Sequence, residues 1–138
     1  MRLEASNRTD LALKALGHLE TNGECSGRTL AQATGTTPNY IPQVVRPLTA
    51  KGWVQGTPGP GGGYALSVGL DEISVLDVIE AVEGPSDTGE CVLRGASCPV
   101  VEQCALHDSW VRARGALLAE LGATSVKATM APAPRKGE

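Results

Sequence analysis

The sequence predicts a mainly α-helical protein with a small β-hairpin, arranged as a winged helix-turn-helix followed by a long dimerisation helix. Three observations lead to this fold class. Two short helical patterns flank a glycine-containing turn over residues 26–54, a glycine-rich loop over residues 56–63 separates two short strand patterns, and an amphipathic helical pattern follows residue 104.

Charge is distributed unevenly along the 138 residues, whose net charge is -3. Residues 1–64 carry six basic and four acidic side chains, a net of +2, and residues 65–138 carry six basic and eleven acidic side chains, a net of -5. This asymmetry permits a nucleic-acid-facing half, although a solvated surface of mixed charge explains it equally simply.

Composition also indicates the cellular compartment. No apolar run approaches the roughly 18 residues that a membrane span needs, and residues 1–4 lack the apolar segment of a signal peptide. We therefore expect a cytoplasmic protein with no membrane partner. Cytosolic thiols are kept reduced, so the four cysteines are interpreted as metal-binding or redox-active rather than as a disulfide framework.

Four segments are expected along the chain. Residues 1–84 form the winged helix-turn-helix, residues 85–105 a cysteine-rich loop, residues 104–127 the dimerisation helix and its end, and residues 128–138 a disordered tail rich in alanine, proline and charge. Within the first segment, Ser6 or Asn7 can cap a first helix that Asn22-Gly23 ends. Asp10 falls in its first turn, where the helix dipole favours a carboxylate.

The helix-turn-helix pattern begins at Ser26, which can cap a short helix over residues 28–34. Gly35 supplies the left-handed turn, and Thr37 is the expected N-cap of a second helix that carries Pro38 at its first position and ends at Gly52. Pro47 would lie inside this second helix, so we expect a bend or two short helices there.

A second helix of this kind enters a DNA major groove, where Asn and Gln can read adenine and Arg can read guanine or hold phosphate. The predicted DNA-binding residues are Arg28, Thr36, Asn39, Tyr40, Gln43, Arg46, Lys51, Gly61, Gly62 and Gly63. A solvated helix face is the simpler alternative for the polar members. The hairpin that follows, with strands at 53–55 and 64–66 around a glycine-rich loop, favours the winged-helix interpretation. Its glycines would let the backbone approach a phosphate or enter a minor groove without side-chain collisions.

Beyond the hairpin, residues 73–82 predict a further helix with a Gly84-Pro85 stop. Cys91, Cys98, Cys104 and His107 then follow with six, five and two intervening residues. Thiolates and an imidazole at this spacing can wrap one metal centre. The residues alone leave three possibilities open: an iron-sulfur cluster, a structural zinc site and a metal-free thiol sensor. Cys25 has no cysteine neighbour in sequence and is expected to be a bystander.

A single apolar stripe runs along the helix after Cys104, with its members four, three, four and four residues apart. Such a stripe on a long helix needs a partner surface, either a second copy of the chain or the helix at 73–82. The predicted dimerisation residues are Leu106, Trp110, Ala113, Leu117 and Leu121.

Four short motifs precede the cysteine loop: Met1-Arg2-Leu3, Asn39-Tyr40-Ile41, Lys51-Gly52-Trp53-Val54 and Gly59-Pro60-Gly61-Gly62-Gly63-Tyr64-Ala65-Leu66. In this order, and with the three cysteines after them, they resemble the Rrf2 family of bacterial winged-helix transcriptional regulators, the family of IscR, NsrR and RirA. The resemblance covers roughly residues 1 to 128. It implies a homodimer that binds a palindromic double-stranded DNA operator, and an iron-sulfur cluster that controls operator affinity.

The resemblance also implies ligands. Cys91, Cys98 and Cys104 match the cluster cysteines of the family, and His107 lies where some members place a histidine ligand to a two-iron cluster. Asp10, in the segment Thr9-Asp10-Leu11, matches an aspartate that completes a four-iron cluster from the partner subunit. The cluster type, [2Fe-2S] or [4Fe-4S], stays open.

The chain departs from the family pattern in three places. Six residues rather than five separate the first two cysteines, Pro58 stands where relatives often carry arginine at the wing, and Pro42 and Pro47 interrupt the recognition region.

No serine, histidine and acid set for catalysis is visible, so an enzyme is not expected. We expect a repressor whose cluster senses iron, nitric oxide or redox state. The alternatives are a zinc-bound or metal-free thiol-sensing regulator and a protein-binding winged helix without DNA affinity.

Overall fold

A computed structural model describes residues 3–96 and 103–130. The element order over these residues is α1 Asn7–Asn22, α2 Gly27–Thr34, α3 Ile41–Ala50, β1 Val54–Thr57, β2 Gly63–Leu66, α4 Val75–Glu83, α5 His107–Ala123 and α6 Val126–Thr129. This architecture confirms the predicted fold class, mainly helical with one small hairpin. Within this part of the chain no helix is long and apolar enough to cross a membrane.

The core is formed by apolar side chains of α1 to α4, the start of β1, the turn before α4, and α6. Leu16, Leu30, Ile41 and Leu48 are fully buried there. Within each helix, the buried residues recur at helical spacing on one face. The apolar faces predicted by the amphipathic pattern are therefore the faces that form the core. The core is aliphatic, as a chain without phenylalanine requires.

The first helix begins and ends where its capping residues predict. Ser6 is the N-cap, its side chain accepting a hydrogen bond from the Thr9 backbone N–H, and Gly23 is the C-cap. Its N-terminus is also tied to α4, because the backbone N–H of Ser6 and the hydroxyl of Thr9 both donate to Glu83 Oε1. Since Glu83 is the last residue of α4, this contact fixes the point from which the chain leaves for the cysteine loop.

The turn between α2 and α3 departs from the prediction at its far end. Gly35 has φ 76° and ψ 29°, the left-handed conformation that its position predicts. Thr37, however, does not cap α3. Its carbonyl accepts from the backbone N–H of Tyr40 to close a separate turn, and α3 begins at Ile41 with Tyr40 as N-cap.

This later start accommodates both prolines of the region. Pro42 lies in the first turn of α3, where a missing N–H costs no helical hydrogen bond. Pro47 is inside the helix, yet α3 runs as one element from Ile41 to Ala50, not as two short helices. Ile41 and Val44 on one side of Pro47 and Leu48 on the other are all buried in the core, and this packing holds the helix together across the proline.

The hairpin pairs β1 and β2 antiparallel, with Val54 opposite Leu66 and Thr57 opposite Gly63. Relative to the expected 53–55, β1 begins one residue later and ends two residues later, and β2 begins one residue earlier than the expected 64–66. Cys25 joins the sheet through two backbone hydrogen bonds with Tyr64, of 3.1 and 2.8 Å. The wing is thereby attached to the segment that precedes α2.

The carboxyl-terminal region folds back onto the core. The end of α5 is joined to α4 by the hydrogen bond from Val75 N–H to the Thr124 carbonyl, and Val126 in α6 is buried. Residues 128 and 129, which we expected in a disordered tail, belong to α6, because Ser125 caps this short helix and Val126 anchors it. Residues 131–138 lie outside the described part.

Candidate cysteine cavity and nucleic-acid interface

Cys91 and Cys104 come together although thirteen positions separate them, and their Sγ atoms are 3.5 Å apart. They line a cavity of about 170 Å³ that His107 also lines. A disulfide needs a sulfur–sulfur distance of about 2.05 Å, so the two thiols are not joined. Two thiolates on one tetrahedral ion, with metal–sulfur bonds of about 2.3 Å, would lie about 3.8 Å apart. The observed separation is close to that value, so the donor pair fits a soft metal centre.

Local backbone structure explains how these side chains are placed. A tight turn surrounds Cys91, because its N–H donates to the Ala96 carbonyl at 2.7 Å and its carbonyl accepts from Gly95 N–H at 3.0 Å. Gly95 has φ 65°, a conformation that favours glycine. Cys104 lies just before α5, and its carbonyl accepts from His107 N–H. The helix therefore starts at His107. Its amphipathic pattern had suggested a start at Cys104.

The two other proposed ligands are Cys98 and Asp10. Cys98 falls outside the described residues. Asp10 lies exposed on α1, 2.7 Å from the ammonium of Lys14, and is not among the residues that line the cavity. Across residues 3–96 and 103–130, no three Cys, His, Asp or Glu side chains are arranged to hold a metal ion. The described part of the ligand set is thus one close thiol pair with an imidazole beside it.

The sequence analysis missed Arg114, which lines the same cavity. Its guanidinium donates to Asp87 Oδ1 at 2.7 Å and to the Glu90 carbonyl at 3.4 Å. A signal was available, because His107, Trp110 and Arg114 are spaced three and four residues apart and so share one face of α5. The partner Asp87 could not have been found this way, since it lies on the irregular linker of residues 84–90, which joins α4 to the cysteines.

The fourth cysteine, Cys25, lies apart from this cavity beside the wing. Burial raises the pKa of the Cys25 thiol, which disfavours the reactive thiolate. Its backbone pairing with Tyr64 gives this residue a structural position.

A second candidate site is the outer face of the helix-turn-helix. In α3, Gln43 and Arg46 are exposed and lie three residues apart, opposite the buried residues of the same helix. Arg28 on α2 and Lys51 after α3 are also exposed. Within the described chain, no ion pair joins a carboxylate to any of these three cations. This arrangement leaves a basic, hydrogen-bonding helix face available to solvent.

The remaining predicted residues of this face differ in exposure. Asn39 is exposed, whereas Thr36 is half-buried and its N–H donates to the Ala31 carbonyl. Tyr40 is half-buried and packs against the core. The ring of Tyr40 therefore has a packing role that the sequence did not indicate.

Two wing glycines have a structural reason that the sequence analysis did not anticipate. A Cβ atom at Gly62 would lie 2.0 Å from the carbonyl oxygen of Thr57, and one at Gly63 would lie 2.3 Å from that of Cys25. Gly61 differs, because the space around it is open and its φ of 77° is what favours glycine. Close backbone packing thus explains both glycines without any ligand, within the hairpin for Gly62 and against the segment before α2 for Gly63.

Comparison with known proteins decides the family. The family model Rrf2, described as iron-dependent transcriptional regulator, matches residues 5–132. The chain belongs to the Rrf2 family. The chain is therefore a transcriptional regulator and not an enzyme, and the winged helix is the DNA-binding module that such regulators carry.

Several Rrf2 relatives are similar to this chain over most of its length. The chain is 30% identical to the transcriptional regulator CymR of Bacillus subtilis over 128 residues, which span 92% of this chain and 88% of that protein. It is 32% identical to the transcriptional regulator IscR of Escherichia coli over 113 residues, or 80% of this chain and 68% of that protein. The structure of B. subtilis CymR, described as the global cysteine regulator, matches with a TM-score of 0.74 and 26% identity, covering 96% of this chain and all of that chain.

The long helix of this Rrf2-family regulator presents an unusual amount of apolar surface. Within α5, all of which is described, no residue is buried, and Val111 and Leu117 are 50% and 45% exposed. A groove of about 670 Å³ runs between this helix, α4, the linker and the N-terminus. Four of the five predicted dimerisation residues line it: Trp110, Ala113, Leu117 and Leu121. The rest of the stripe, Leu106, lies exposed before the helix begins.

Proposed function

We propose that this regulator is a homodimeric repressor that binds a palindromic DNA operator in the cytoplasm, and that an iron-sulfur cluster in its cysteine cavity controls operator affinity. The observation that carries this proposal is the 3.5 Å approach of the Cys91 and Cys104 Sγ atoms in a cavity that His107 also lines. In this proposal residues 1–84 bind DNA, residues 85–105 hold the cluster and residues 104–127 pair the two copies.

The proposed ligands are Cys91, Cys98 and Cys104, with His107 or Asp10 of the partner subunit as the fourth. Thiolate ligands together with an imidazole suit a [2Fe-2S] cluster. With a carboxylate as the fourth ligand, the proposed cluster is [4Fe-4S]. When bound, such a cluster supplies iron that responds to iron supply, nitric oxide or oxidants. The protein contributes the enclosing loop, the start of α5 and the buried position of Cys91, which is 8% exposed.

On the DNA side, the proposal assigns Gln43 and Asn39 to base edges and Arg46 to guanine or phosphate. Arg28 and Lys51 would hold phosphates on either side, and Thr36 and Tyr40 would contact the backbone. Their support is the exposed face of α2 and α3, whose cations have no carboxylate partner among the described residues. Gly61, Gly62 and Gly63 keep the wing thin, so that its backbone can approach the DNA.

Control of affinity requires only a modest energy difference. To change operator occupancy a hundredfold, the cluster must favour one arrangement of the two winged helices by about 2.7 kcal/mol. A few ligand and interface contacts supply that amount. The end of α4 is already fixed to α1 through Glu83, so a change in the cysteine loop acts on a rigid module rather than a loose one.

The test is an anaerobic ultraviolet-visible spectrum of the purified protein, with iron and sulfide assays and an operator-binding titration on the same sample. We expect visible charge-transfer bands that Cys98→Ala and Cys104→Ala remove, while both variants stay folded dimers. Cys25→Ala is the matched control and should keep the bands, because Cys25 lies beside the wing. A colourless wild type that cannot be reconstituted, or bands that survive in Cys104→Ala, would refute the cluster assignment.

A separate test addresses DNA recognition. Arg46→Ala should weaken operator binding and make it less dependent on salt. The slope of log K against log salt concentration should fall in magnitude by about two, because each phosphate contact contributes about 0.9 to this slope and a dimer carries two copies. Lys127→Ala, on α6, should leave both unchanged. A salt-independent affinity in the wild type would instead favour a winged helix that binds protein.

A thiol switch is the second candidate function, and the same sulfur pair favours it. Peroxide could oxidise Cys91 and Cys104 to a disulfide, in which the two thiols lose two electrons and two protons and one peroxide becomes two waters. The sulfurs would have to approach from 3.5 Å to about 2.05 Å. Mass spectrometry of metal-free protein after peroxide would then find the 91–104 disulfide, and operator affinity would change reversibly with dithiothreitol.

A further inference from the structure

Arg114 lies in a wall between the cysteine cavity and the apolar groove, and it also hydrogen-bonds to the linker. The cysteine cavity and the apolar groove beside α5 are both lined by Glu90, Cys91, Val92, Trp110 and Arg114. Any movement of this wall therefore changes both spaces. Arg114 is the member of the wall that belongs to α5 and hydrogen-bonds to the linker.

The hydrogen bonds of Arg114 reach the segment directly before Cys91. Its Nη1 donates to Asp87 Oδ1 at 2.7 Å, and its Nη2 donates to the Glu90 carbonyl at 3.4 Å. The Glu90 carbonyl belongs to the peptide group that precedes Cys91. Asp87 Oδ1 also accepts from Gly89 N–H, so the same carboxylate closes the turn that leads to this peptide.

The degree of exposure favours a specific role over an incidental surface pair. The side chain of Arg114 is 20% exposed and that of Asp87 is 57% exposed, so the guanidinium is largely enclosed by the linker. Exposed ion pairs contribute little to stability, so the role of this pair is the geometry that two hydrogen bonds from one guanidinium give to the linker. The contact is also long-range, because 27 positions separate the two residues.

We propose that Arg114 is a positioning residue that couples the cysteine cavity to the dimerisation surface of α5. The proposal rests on the proposed function in one respect, namely that α5 pairs two copies of the chain. A change of state at Cys91 moves the linker, the Arg114 contacts carry that movement to α5, and the groove that receives the partner copy changes shape.

The first test measures Cys91 alone. In metal-free protein carrying Cys25→Ser, Cys98→Ser and Cys104→Ser, the rate of Cys91 modification by a thiol reagent reports how often the linker opens. Arg114→Gln should raise this rate at least threefold, and Arg112→Gln, an exposed neighbour on the same helix, should leave it unchanged. Removing a positive charge would by itself disfavour the thiolate and slow the reaction, so a faster rate identifies opening.

Rescue separates the pair from general damage to the helix. Arg114→Lys keeps a positive charge and hydrogen-bond donors toward Asp87 and the Glu90 carbonyl, and Cys91 in this variant should be modified more slowly than in Arg114→Gln. Because no residue of α5, which is fully described, is buried, these substitutions leave the core intact. A rate for Arg114→Gln equal to that of Arg112→Gln, or a rate for Arg114→Lys as fast as that of Arg114→Gln, would overturn the positioning role.

The second test measures coupling through the dimer dissociation constant. Cys91→Ala should change this constant, and the change should disappear when Arg114→Gln is already present. Additive effects of the two substitutions would overturn the coupling. A wild-type chain that stays monomeric would instead refute the homodimer of the proposed function, and the Cys91 rates would still decide whether Arg114 positions the linker.

Discussion

Leu117 offers a quantitative test of the proposed dimer. It is 45% exposed and lies on α5, a fully described helix in which no residue is buried. Burying a whole leucine contributes about 1.5–3 kcal/mol, so covering the exposed part contributes about 0.7–1.4 kcal/mol. A twofold interface counts this twice, since the same residue is present in both copies. Leu117→Ala should therefore cost about 1.5–3 kcal/mol, which raises the dimer dissociation constant about ten- to hundredfold.

Sedimentation velocity over a dilution series would measure this constant in metal-free protein. Leu93→Ala is the matched control, because Leu93 is 62% exposed but lies in the cysteine loop and outside the stripe. Equal dissociation constants for the two variants would refute the assignment of the stripe to the dimer interface. Operator binding by Leu117→Ala should weaken in parallel with dimerisation and recover at high protein concentration.

Two further predictions concern the winged helix. The pKa of Glu83 lies below its ordinary value of 4.5, because hydrogen bonds to its carboxylate outweigh the effect of burial, which raises it. A lowered pKa stabilises the fold above the ordinary value, so Glu83→Gln should lower thermal stability at pH 7, and the difference should close as the pH falls below 4.5. Equal melting temperatures of wild type and Glu83→Gln at pH 7 would contradict this role. Gly62→Ala should distort the wing and weaken operator binding in an anisotropy titration, because its Cβ would lie 2.0 Å from the Thr57 carbonyl oxygen. Gly122→Ala, whose Cβ would lie 3.6 Å from Leu76, should bind normally, and equal affinities would contradict the clash.

The start and end of several helices were predictable because capping is local chemistry. Ser6 and Ser26 each accept a hydrogen bond from a backbone N–H three residues later, and Gly23 and Gly35 end the helices that follow those caps. Such signals need no tertiary partner. The prediction failed at Thr37. Threonine is a residue type that caps helices, but here a turn closed by Tyr40 delays the start of α3.

Pro47 illustrates how packing outweighs a local preference. An interior proline costs about 3 kcal/mol in a helix, which led us to expect a bend or a break. The structure keeps one helix because buried residues on both sides of the proline hold it against the core. The sequence shows the local cost but not the packing energy that opposes it.

For the cysteine site, the residue types and spacing of Cys91, Cys104 and His107 were enough to predict a shared location, and these three line one cavity. The position of Cys98 stays a prediction. Arg114 and Asp87 were missed because they lie 27 positions apart, and no local pattern relates a helix residue to a residue of an irregular linker.

The sequence by itself determined the order of elements, the apolar faces of the helices and the residue types of the candidate sites, because each follows from periodicity, capping or side-chain chemistry within a few residues. Only the tertiary structure decided that the Cys91 and Cys104 sulfurs lie 3.5 Å apart, that Arg114 holds the linker before Cys91, and that Gly62 and Gly63 are required by carbonyl groups of the hairpin and its neighbouring segment. These features depend on distances between residues far apart in the chain, and those distances are set by the packing of the whole core.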